Sequence, residues 1–345
     1  MTRVLLLCGG MSAEHEVSLA SARSVLAAAP AGLVITPLVI AKTGQVHSPS
    51  ESAHILAEAP DLRGTDLGPR NAQLRGVAVL AEHVAANDVV FPLLHGPFGE
   101  DGTVQGLLAL LGTKFVGSGV LGSSANMDKI AMKTLLGAAG IPQVEWRGVY
   151  AHEFANDQAG VLRTCEELPY PLFVKPANLG SSVGISKVTN RAELLAGLNE
   201  AFAHDARVIV ERGLEGVREL EVGMLGTHNT TQASVVGEIR FSTEFYDYIT
   251  KYASGDAEMI VPATIDPAIS EEIRRLAARA FAVTAGAGIA RVDFFYHEHT
   301  QQVWLNELNT MPGFTASSMY PVLWRESGVP YSKLIAALVA DAQQR

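Results

Sequence analysis

The sequence lacks the features that mark membrane-spanning, secreted and nucleic-acid-binding proteins. It contains no apolar run near the ~20 residues that a membrane-spanning helix needs. Its short VLLLC segment (residues 4–8) is too brief for the core of a signal peptide. Its net charge is −10, and its Lys and Arg residues are not clustered as a phosphate backbone requires. We therefore expect a soluble, cytoplasmic protein that binds neither membranes nor nucleic acid.

Cysteine is also scarce. The chain has two cysteines, Cys8 and Cys165, which lie far apart in apolar segments. We expect buried, unpaired thiols there, and neither a disulfide nor a thiolate metal site. Two common nucleotide signatures are missing as well, since G-x-x-x-x-G-K-[ST] does not occur and no G-x-G-x-x-G follows the first strand. A phosphate site in this chain must be built in another way.

What is present favours an α/β enzyme. The 345 residues, 48% of them apolar, are enough for about two or three domains. In the first part of the chain, apolar segments alternate with helical patterns, which predicts an open and mostly parallel sheet flanked by helices. Strands are predicted at 4–8, 34–41, 77–80 and 88–94, helices at 14–29 and 103–112, and a loop at 59–76.

Two segments near the C-terminus predict a hairpin that carries polar side chains. Residues 291–296 and 303–309 have strand composition and are separated by a turn-like segment. Because residues i and i+2 share a face of a strand, Arg291 and Asp293 point one way, as do Glu307 and Asn309. Such oxygen donors suit Mg²⁺ or Mn²⁺, usually together with substrate phosphates. The alternative is an ordinary Arg291–Asp293 ion pair on a solvated face.

A second predicted hairpin, at 171–188, has a tip of glycine and serine. Gly180 and Gly184 leave the backbone free to close over an anion, and Lys175 adds a positive charge. The tip also matches G-x-S-x-G, which would make Ser182 the nucleophile of a hydrolase. That motif requires a helix after the turn, whereas a strand is predicted here. Lys129 and Lys133, four residues apart on a helix, also suggest an anionic ligand.

Polar residues follow two strands of the N-terminal sheet. Glu14 comes soon after the first strand and His95 directly after the predicted fourth, where ligands bind in open α/β sheets. The alternatives are a helix-dipole interaction for Glu14 and an ordinary loop histidine for His95. The polar segment 242–259, which contains Lys251 and Tyr252, is long for a plain loop and is interpreted as a lid.

Taken together, the sequence resembles the ATP-grasp superfamily, and within it the D-alanine–D-alanine ligases. The matching blocks run in family order along nearly the whole chain. They are GGMSAEHEVS (9–18), HGPFGEDGTVQG (95–106), MDK (127–129), FVKPANLGSSVGISKV (173–188), ERGLEGVRELEVGML (211–225), EFYDYITKY (244–252), RVDF (291–294) and NELNTMPGFTASS (306–318).

The resemblance implies a fold and its division into domains. An N-terminal Rossmann-like domain with an open parallel sheet, residues 1–120, would contribute to the substrate site. A two-part ATP-grasp fold with α+β elements would follow, with a central part at 121–212 and a C-terminal part at 213–345. The C-terminal part would carry the metal site and the lid, and ATP would lie between the two parts.

The resemblance also implies which residues bind ATP and its metal ions. Lys129 and Lys175 would contact the phosphates, Ser182 and its loop would cover them, and Glu219 would hold the ribose. The remaining nucleotide contacts would come from Glu211, Arg212, Leu214 and Lys251. Asp293, Glu307 and Asn309 would bind two Mg²⁺ or Mn²⁺ ions. Gly213 departs from the family pattern, because other members often carry a bulky aromatic residue there.

The implied reaction joins two D-alanines through a D-alanyl phosphate, releasing ADP and phosphate, for the peptidoglycan of the cell wall. Glu14, helped by Ser181 and Tyr252, would hold the first substrate, and Arg291 with the Gly313 N–H would stabilise the oxyanion. His95 and Ser318 would complete the substrate site, Ser318 holding the second carboxylate. A homodimer is expected by resemblance.

Three alternatives remain open at this point. The first is another ATP-grasp ligase that joins a carboxylate to an amine, such as one that takes D-serine. The second is a serine hydrolase built on Ser182, and the third is a nucleotide sensor without ligase activity.

Overall fold

The computed structural model describes residues 1–58, 70–180, 183–227, 230–241 and 257–345, without the side chains at 70–75, 241 and 257. Ser181, Ser182, Lys251 and Tyr252 lie outside the described residues, as does most of the predicted lid. Among the described helices, none is both long and apolar enough to cross a bilayer.

The N-terminal sheet has three parallel strands within the described residues, in the order β2–β1–β3. The strands are β1 (Thr2–Gly9), β2 (Leu33–Ile40) and β3 (Val89–Pro92). The helices of this part of the chain are α1 (His15–Ala27), α2 (Pro49–Glu58), α3 (Arg70–Ala85), α4 (Thr103–Leu110), α5 (Val120–Met127) and α6 (Lys129–Ala138). The predicted parallel sheet flanked by helices is confirmed.

Strand β1 is apolar along its length because both of its faces are buried. Val4 and Leu6 belong to the core that includes residues of α1 and α2. Leu5 and Leu7 belong to a separate core that includes residues of α3 and α4. A strand covered on both faces has a continuous apolar run instead of an alternating one.

The cysteines are buried free thiols, as predicted. Cys8 is fully buried in β1, and burial raises the pKa of its thiol to about 12. Burial likewise raises the pKa of Cys165 to about 11. Neither thiol is therefore activated as a nucleophile.

One predicted strand and part of one predicted loop are wrong. Residues 77–80 belong to α3, as do residues 70–76 of the predicted loop, while 59–69 lie outside the described residues. Leu80 and Val84 are buried one helical turn apart, whereas Val77 is 45% exposed. A short apolar run of this kind does not distinguish a strand from the buried side of a helix. His95 therefore follows the third strand and not the fourth.

Ser18 in α1 connects the ends of two strands. Its hydroxyl accepts a hydrogen bond from Gly9 N at 2.8 Å and donates one to Leu93 O. The end of β1 is thereby fixed beside the end of β3. The segments that follow these strands, which carry Glu14 and His95, consequently start from the same edge of the sheet.

The central sheet has four antiparallel strands in the order β4–β7–β5–β6. They are β4 (Trp146–Tyr150), β5 (Leu172–Pro176), β6 (Ser186–Val188) and β7 (Arg207–Arg212), and the helices are α7 (Ala151–Asn156), α8 (Gln158–Cys165) and α9 (Arg191–Phe202). The predicted hairpin at 171–188 is confirmed. Since β6 follows Gly184 and pairs with β5, the strand–turn–helix context of a hydrolase nucleophile is missing.

The C-terminal sheet has five antiparallel strands in the order β10–β9–β8–β11–β12. The strands are β8 (Arg218–Gly226), β9 (Gln232–Phe241), β10 (Ala257–Ile260), β11 (Gly288–His297) and β12 (Gln302–Asn309), and the helices are α10 (Pro267–Val283), α11 (Met319–Glu326) and α12 (Tyr331–Gln344). The β11–β12 hairpin is confirmed. Strands β7 and β8, which a glycine-containing turn connects, lie in different sheets.

The two ends of the chain share a core. Leu334 and Leu338 of α12 belong to the same buried cluster as Val4 and Leu6 of β1. The domain boundaries at 120 and 212 stay predictions.

Candidate active site

The β11–β12 hairpin brings its polar side chains together as predicted. Asp293 lies opposite Glu307 in the pairing register, and Arg291 lies opposite Asn309. Asn309 Nδ2 donates to Asp293 Oδ2 at 3.0 Å. Two carboxylates, an amide and a guanidinium therefore share one face of the sheet.

Arg291 makes the ion pair with Asp293 that the alternative interpretation required, but not on a solvated face. Arg291 Nη2 lies 2.7 Å from Asp293 Oδ2, and Arg291 Nε lies 2.9 Å from Glu221 Oε2 on β8. The Asp293 side chain is only 14% exposed. Burial by itself lowers the pKa of Arg291, but these carboxylates outweigh it and raise the pKa well above its ordinary value. Arg291 is a fixed, partly buried cation.

Lysine side chains lie across from the polar face of this hairpin. Lys175 Nζ lies 2.5 Å from Glu211 Oε2, and Lys133 Nζ lies 2.8 Å from Glu211 Oε1. Burial raises the pKa of Glu211, but the two ammonium groups outweigh it and lower the pKa to about 2. Lys129 Nζ donates to Leu179 O at 2.5 Å, at the start of the glycine-rich tip. The Glu211 carboxylate, expected near adenine, is thus engaged by two lysines.

Glu14 occupies the N-cap position of α1, but its side chain makes no capping hydrogen bond. Its backbone N–H donates instead to Ser12 Oγ at 3.2 Å, and Ser12 Oγ donates to His95 O at 2.7 Å. Glu14 Oε2 lies close to two glycines, 2.5 Å and 3.3 Å from the positions that a Cβ would take on Gly96 and Gly180. Only glycine at position 96 leaves room for this carboxylate.

His95 and Glu100 hold the backbone of Met311, in the turn after β12, from both sides. His95 Nδ1 lies 2.7 Å from Met311 O, so this nitrogen carries the proton and donates. Glu100 Oε1 accepts from Met311 N, and Glu100 Oε2 accepts from Gly96 N, both at 2.8 Å. Among the described residues, His95 Nε2 is buried without a hydrogen-bond partner. The position of Gly313, two residues further on, depends on this double contact.

Gly313 lies beside Ser318. The Cβ position on Gly313 is 3.3 Å from Ser318 Oγ. Ser318 Oγ accepts from Thr315 N at 3.1 Å and shares a 2.7 Å hydrogen bond with Thr315 Oγ1. The pair expected to handle the oxyanion and the second carboxylate is therefore adjacent.

Some of these groups line one cavity of about 120 Å³. Its lining includes Glu14, His95, Glu100, Lys129, Gly180, Arg291, Glu307, Asn309 and Gly313. Residues from all three predicted domains are among them. No set of three or more His, Cys, Asp or Glu side chains within the described ranges is arranged to hold a metal ion.

A larger groove of about 510 Å³ lies at the connection between the central and C-terminal sheets. It is lined in part by Arg212, Gly213 and Leu214, and Arg212 Nη1 pairs with Glu145 Oε2 at 3.1 Å. Glu219, on β8, lies opposite Phe295 in the pairing register. Burial lowers the pKa of Lys175, but Glu211 above all, and then Glu307 and Glu219, outweigh it and raise the pKa.

Comparison with known proteins identifies the family. The model of the D-ala D-ala ligase N-terminus matches residues 3–118, and that of the D-ala D-ala ligase C-terminus matches residues 135–340. The D-alanine–D-alanine ligase of Deinococcus radiodurans is 53% identical over 341 residues, which is 98% of this chain and 97% of that protein. The chain belongs to the D-alanine–D-alanine ligase family. The ligase of that name from a Synechococcus strain is 45% identical, over 100% of this chain and 99% of its own.

Solved structures agree with the family and with the ATP-grasp fold that we predicted. The D-alanine-D-alanine ligase from Coxiella burnetii superposes with a TM-score of 0.79 at 30% identity, covering 100% of this chain and 94% of that chain. The VanG D-Ala:D-Ser ligase from Enterococcus faecalis superposes with a TM-score of 0.81, also at 30% identity, covering 99% of both chains.

The family's aromatic residue has no room at position 213. Gly213 N donates to Pro171 O at 2.7 Å. A Cβ on Gly213 would lie 2.9 Å from that oxygen and 3.1 Å from Phe173 Cε2. The close approach of the two backbones therefore requires glycine.

Two residues of this arrangement, Glu100 and Glu221, were given no role from the sequence, and Lys133 was predicted only to face an anionic ligand. Glu100 stands in the quoted block HGPFGEDGTVQG, and the spacing of Lys133 from Lys129 had suggested an anion site. Glu221 shares a strand face with Glu219. The signals were present, but the partners of these side chains lie far away in the sequence.

The burial of Glu100 predicts a specific pH dependence of stability. Burial and the Glu14 charge raise its pKa from 4.5 to about 8, although the N–H groups of Gly96 and Met311 act in the opposite direction. Between these values the folded chain holds a proton that the unfolded chain has released. Glu100 therefore makes the free energy of unfolding fall as pH rises through this window.

We expect Glu100→Gln to remove this contribution, so that unfolding in urea between pH ~5 and ~8 shows a smaller fall in stability than in the unmodified chain. Glu153→Gln, at an exposed position on α7, serves as the control and should leave the profile unchanged. Parallel profiles for the unmodified chain and Glu100→Gln would contradict the prediction.

Proposed function

We propose that this chain joins two D-alanines to D-alanyl-D-alanine, using ATP and releasing ADP and phosphate. The observation that carries the proposal is one cavity lined by the Lys129 ammonium group together with Glu307 and Asn309, whose hairpin also carries Asp293. Such a combination of charges suits a phosphate chain with its metal ions. Membership of the ligase family supplies the substrate.

The proposed reaction has two steps. The carboxylate oxygen of the first D-alanine attacks the γ-phosphorus of ATP, the bond to the bridging oxygen breaks, and ADP leaves. The amine of the second D-alanine, after losing a proton, attacks the resulting acyl carbon, and phosphate leaves as the peptide bond forms. Both steps need positioning and charge neutralisation more than covalent catalysis.

Nucleotide binding is assigned mainly to the central part of the chain. Lys129 and Lys175 neutralise the phosphates, and the tip that includes Ser182 covers them. Arg212, Leu214 and Glu219 lie on the adenosine side, and Lys251 is assigned to the phosphates when the lid closes. For Glu211 we propose that the side chain acts on Lys175 and that any adenine contact comes from its backbone.

Substrate binding is assigned to the cavity between Glu14 and Ser318. Glu14 holds the first ammonium group, with Ser181 and Tyr252 beside it. Arg291, whose positive charge is fixed by its carboxylate partners, and the Gly313 N–H stabilise the tetrahedral oxyanion. Ser318 holds the second carboxylate, and His95 positions the turn that carries Gly313.

The donor set fits a hard divalent cation. Asp293 and Glu307 offer carboxylate oxygens and Asn309 an amide oxygen, which are the ligands that Mg²⁺ and Mn²⁺ prefer. Arg291 has a second carboxylate partner in Glu221, so Asp293 can serve a metal without leaving this guanidinium unpaired. Two such ions, when bound with ATP, would offset the charge of the phosphates.

The decisive experiment measures ADP release from Mg·ATP with D-alanine, L-alanine or D-lactate added in turn. We expect release with D-alanine alone, matched by the dipeptide in a mass spectrum. Release that ignores all three would instead indicate a nucleotide sensor or another ligase. Labelling of the chain by a fluorophosphonate, without any need for ATP, would indicate a serine hydrolase.

A D-Ala–D-Ser ligase is the second candidate, because a ligase of that kind is among the structures that the chain resembles. Methyl and hydroxymethyl groups differ by little binding energy in an apolar pocket. D-alanine and D-serine offered together at equal concentration, with the two dipeptides separated by mass, decide between the candidates. A predominance of the mixed dipeptide would favour the second.

The metal assignment predicts the effect of Asp293→Asn. Loss of one anionic oxygen should raise the Mg²⁺ concentration needed for half-maximal ADP release by at least about tenfold. Glu298→Gln removes a carboxylate in the turn of the same hairpin, 66% exposed, and should leave the requirement unchanged. An unaltered Mg²⁺ titration in Asp293→Asn would count against this metal site.

We also propose a homodimer in the cytoplasm, where ATP is available. Exposed apolar side chains lie on and beside the neighbouring helices α4 and α5, with Leu110 88% and Leu121 65% exposed. Exposed apolar surface of this kind marks interaction sites, and a second copy would cover it.

The homodimer proposal predicts that Leu121→Glu converts a particle of two chains into one of a single chain, because a charge would be buried at the interface. Light scattering during size-exclusion chromatography measures the mass directly. Val283→Glu, at a position 38% exposed on α10, is the control. A single-chain mass for the unmodified protein would exclude the homodimer.

A further inference from the structure

Lys133 is a buried lysine for which the proposed reaction gives no direct role. Its side chain is 1% exposed. It lies one helical turn after Lys129 in α6, so that both side chains project from the same side of the helix. A lysine is almost never buried to this degree unless it is paired. Its partner therefore indicates its role.

That partner is Glu211, and it is shared with Lys175. Phe173 lies opposite Glu211 in the β5–β7 register, and Lys175, two residues after Phe173, projects from the same face of the sheet. Each oxygen of the Glu211 carboxylate contacts a different ammonium group, at 2.8 Å and 2.5 Å.

The sharing of this carboxylate changes the charge that Lys175 presents. If Glu211 faced Lys175 alone, one buried carboxylate would cancel one buried ammonium group. With Lys133 on its other oxygen, two cations share one anion and the trio keeps a net positive charge. In a buried site such an excess attracts an anionic ligand much more strongly than in water.

A purely structural role is the alternative. Buried ion pairs often add little stability compared with apolar residues of similar volume. The surroundings favour an apolar residue here, because Ile130 and Ile209 form a small buried cluster beside this pair. A stabilising role alone would not require a charged group at this position.

We infer that Lys133 is a positioning residue for the triphosphate. Lys133 pairs with the Glu211 carboxylate, so that Lys175 keeps its positive charge for the phosphates. The inference rests on the proposed function, because it assumes that the phosphates bind at Lys175. It differs from that proposal in assigning a role to a lysine that touches neither substrate nor nucleotide.

The test compares nucleotide binding in Lys133→Met and Lys133→Gln by calorimetry, with a non-hydrolysable Mg·ATP analogue and with adenosine. Both variants should bind the analogue about tenfold or more weakly while binding adenosine as before, since only the phosphates sense the lost charge. The KM for ATP should rise in parallel, and the KM for D-alanine should not. Lys333→Met, which removes a lysine from an exposed position on α12, is the control.

A double variant tests the mechanism. In Lys133→Met/Glu211→Gln the carboxylate is removed together with its second lysine, so no carboxylate at position 211 cancels the positive charge of Lys175. We expect its affinity for the analogue to return to within about threefold of that of the unmodified chain. A defect that is no smaller than in Lys133→Met would overturn the inference.

Other outcomes are equally distinct. If both Lys133 variants bind the analogue with the affinity of the unmodified chain and show only a lower melting temperature, then Lys133 is structural or carries no charge. Lys133→Gln can still donate a hydrogen bond to Glu211, so its agreement with Lys133→Met would assign the effect to charge. A failure of the unmodified chain to bind the analogue would contradict the proposed function instead.

Discussion

The balance of buried charge across one cavity is the constraint on which the rest of the site depends. Lysines of α6 and β5 face carboxylates of β12 and β8, and the electrostatic surroundings of Lys129, Lys133 and Lys175 each include Glu307. Charges removed from water are costly to bury unless opposite charges lie nearby. The two sheets consequently keep their polar faces toward each other, and the gap between them suits an anion accompanied by cations.

A second set of contacts couples this gap to the N-terminal sheet. The segment after β3 holds the Met311 backbone through both its C=O and its N–H, and the same segment contacts Ser12 beside Glu14. Because Gly313 follows Met311 closely, the groups assigned to substrate and to oxyanion are tied to one another through this segment. Effective positioning in ligation needs this, since small displacements of reacting groups are costly in rate.

The hairpin at the centre of the site was predictable because its signal is local. Strand composition identified both strands, and the positions of Asp293 and Glu307 on one face followed from the period of two. The contact between Glu100 and Met311 was not predictable, since the two residues are 211 positions apart and no local pattern reports which distant segments meet.

Glu211 illustrates the same limit for a predicted residue. Its position at the end of β7 was read correctly from the sequence, but the direction of its carboxylate is decided by two lysines from other elements. The strand predicted at residues 77–80 is wrong for a different reason, because four apolar residues fit a strand and the buried side of a helix equally well. Gly213 could be noticed only as a departure, and its cause is the approach of Pro171.

Similarity of fold supports the proposed phosphate chemistry more strongly than it supports the identity of the second substrate. One solved ligase joins D-alanine to D-alanine and the other D-alanine to D-serine, yet they superpose on this chain with TM-scores of 0.79 and 0.81 at the same 30% identity. The overall fold therefore does not distinguish the two reactions. Discrimination between a methyl and a hydroxymethyl group involves only a few atoms and a small energy. It must be sought in side chains near Ser318, where the second carboxylate is assigned, and not in the arrangement of the sheets.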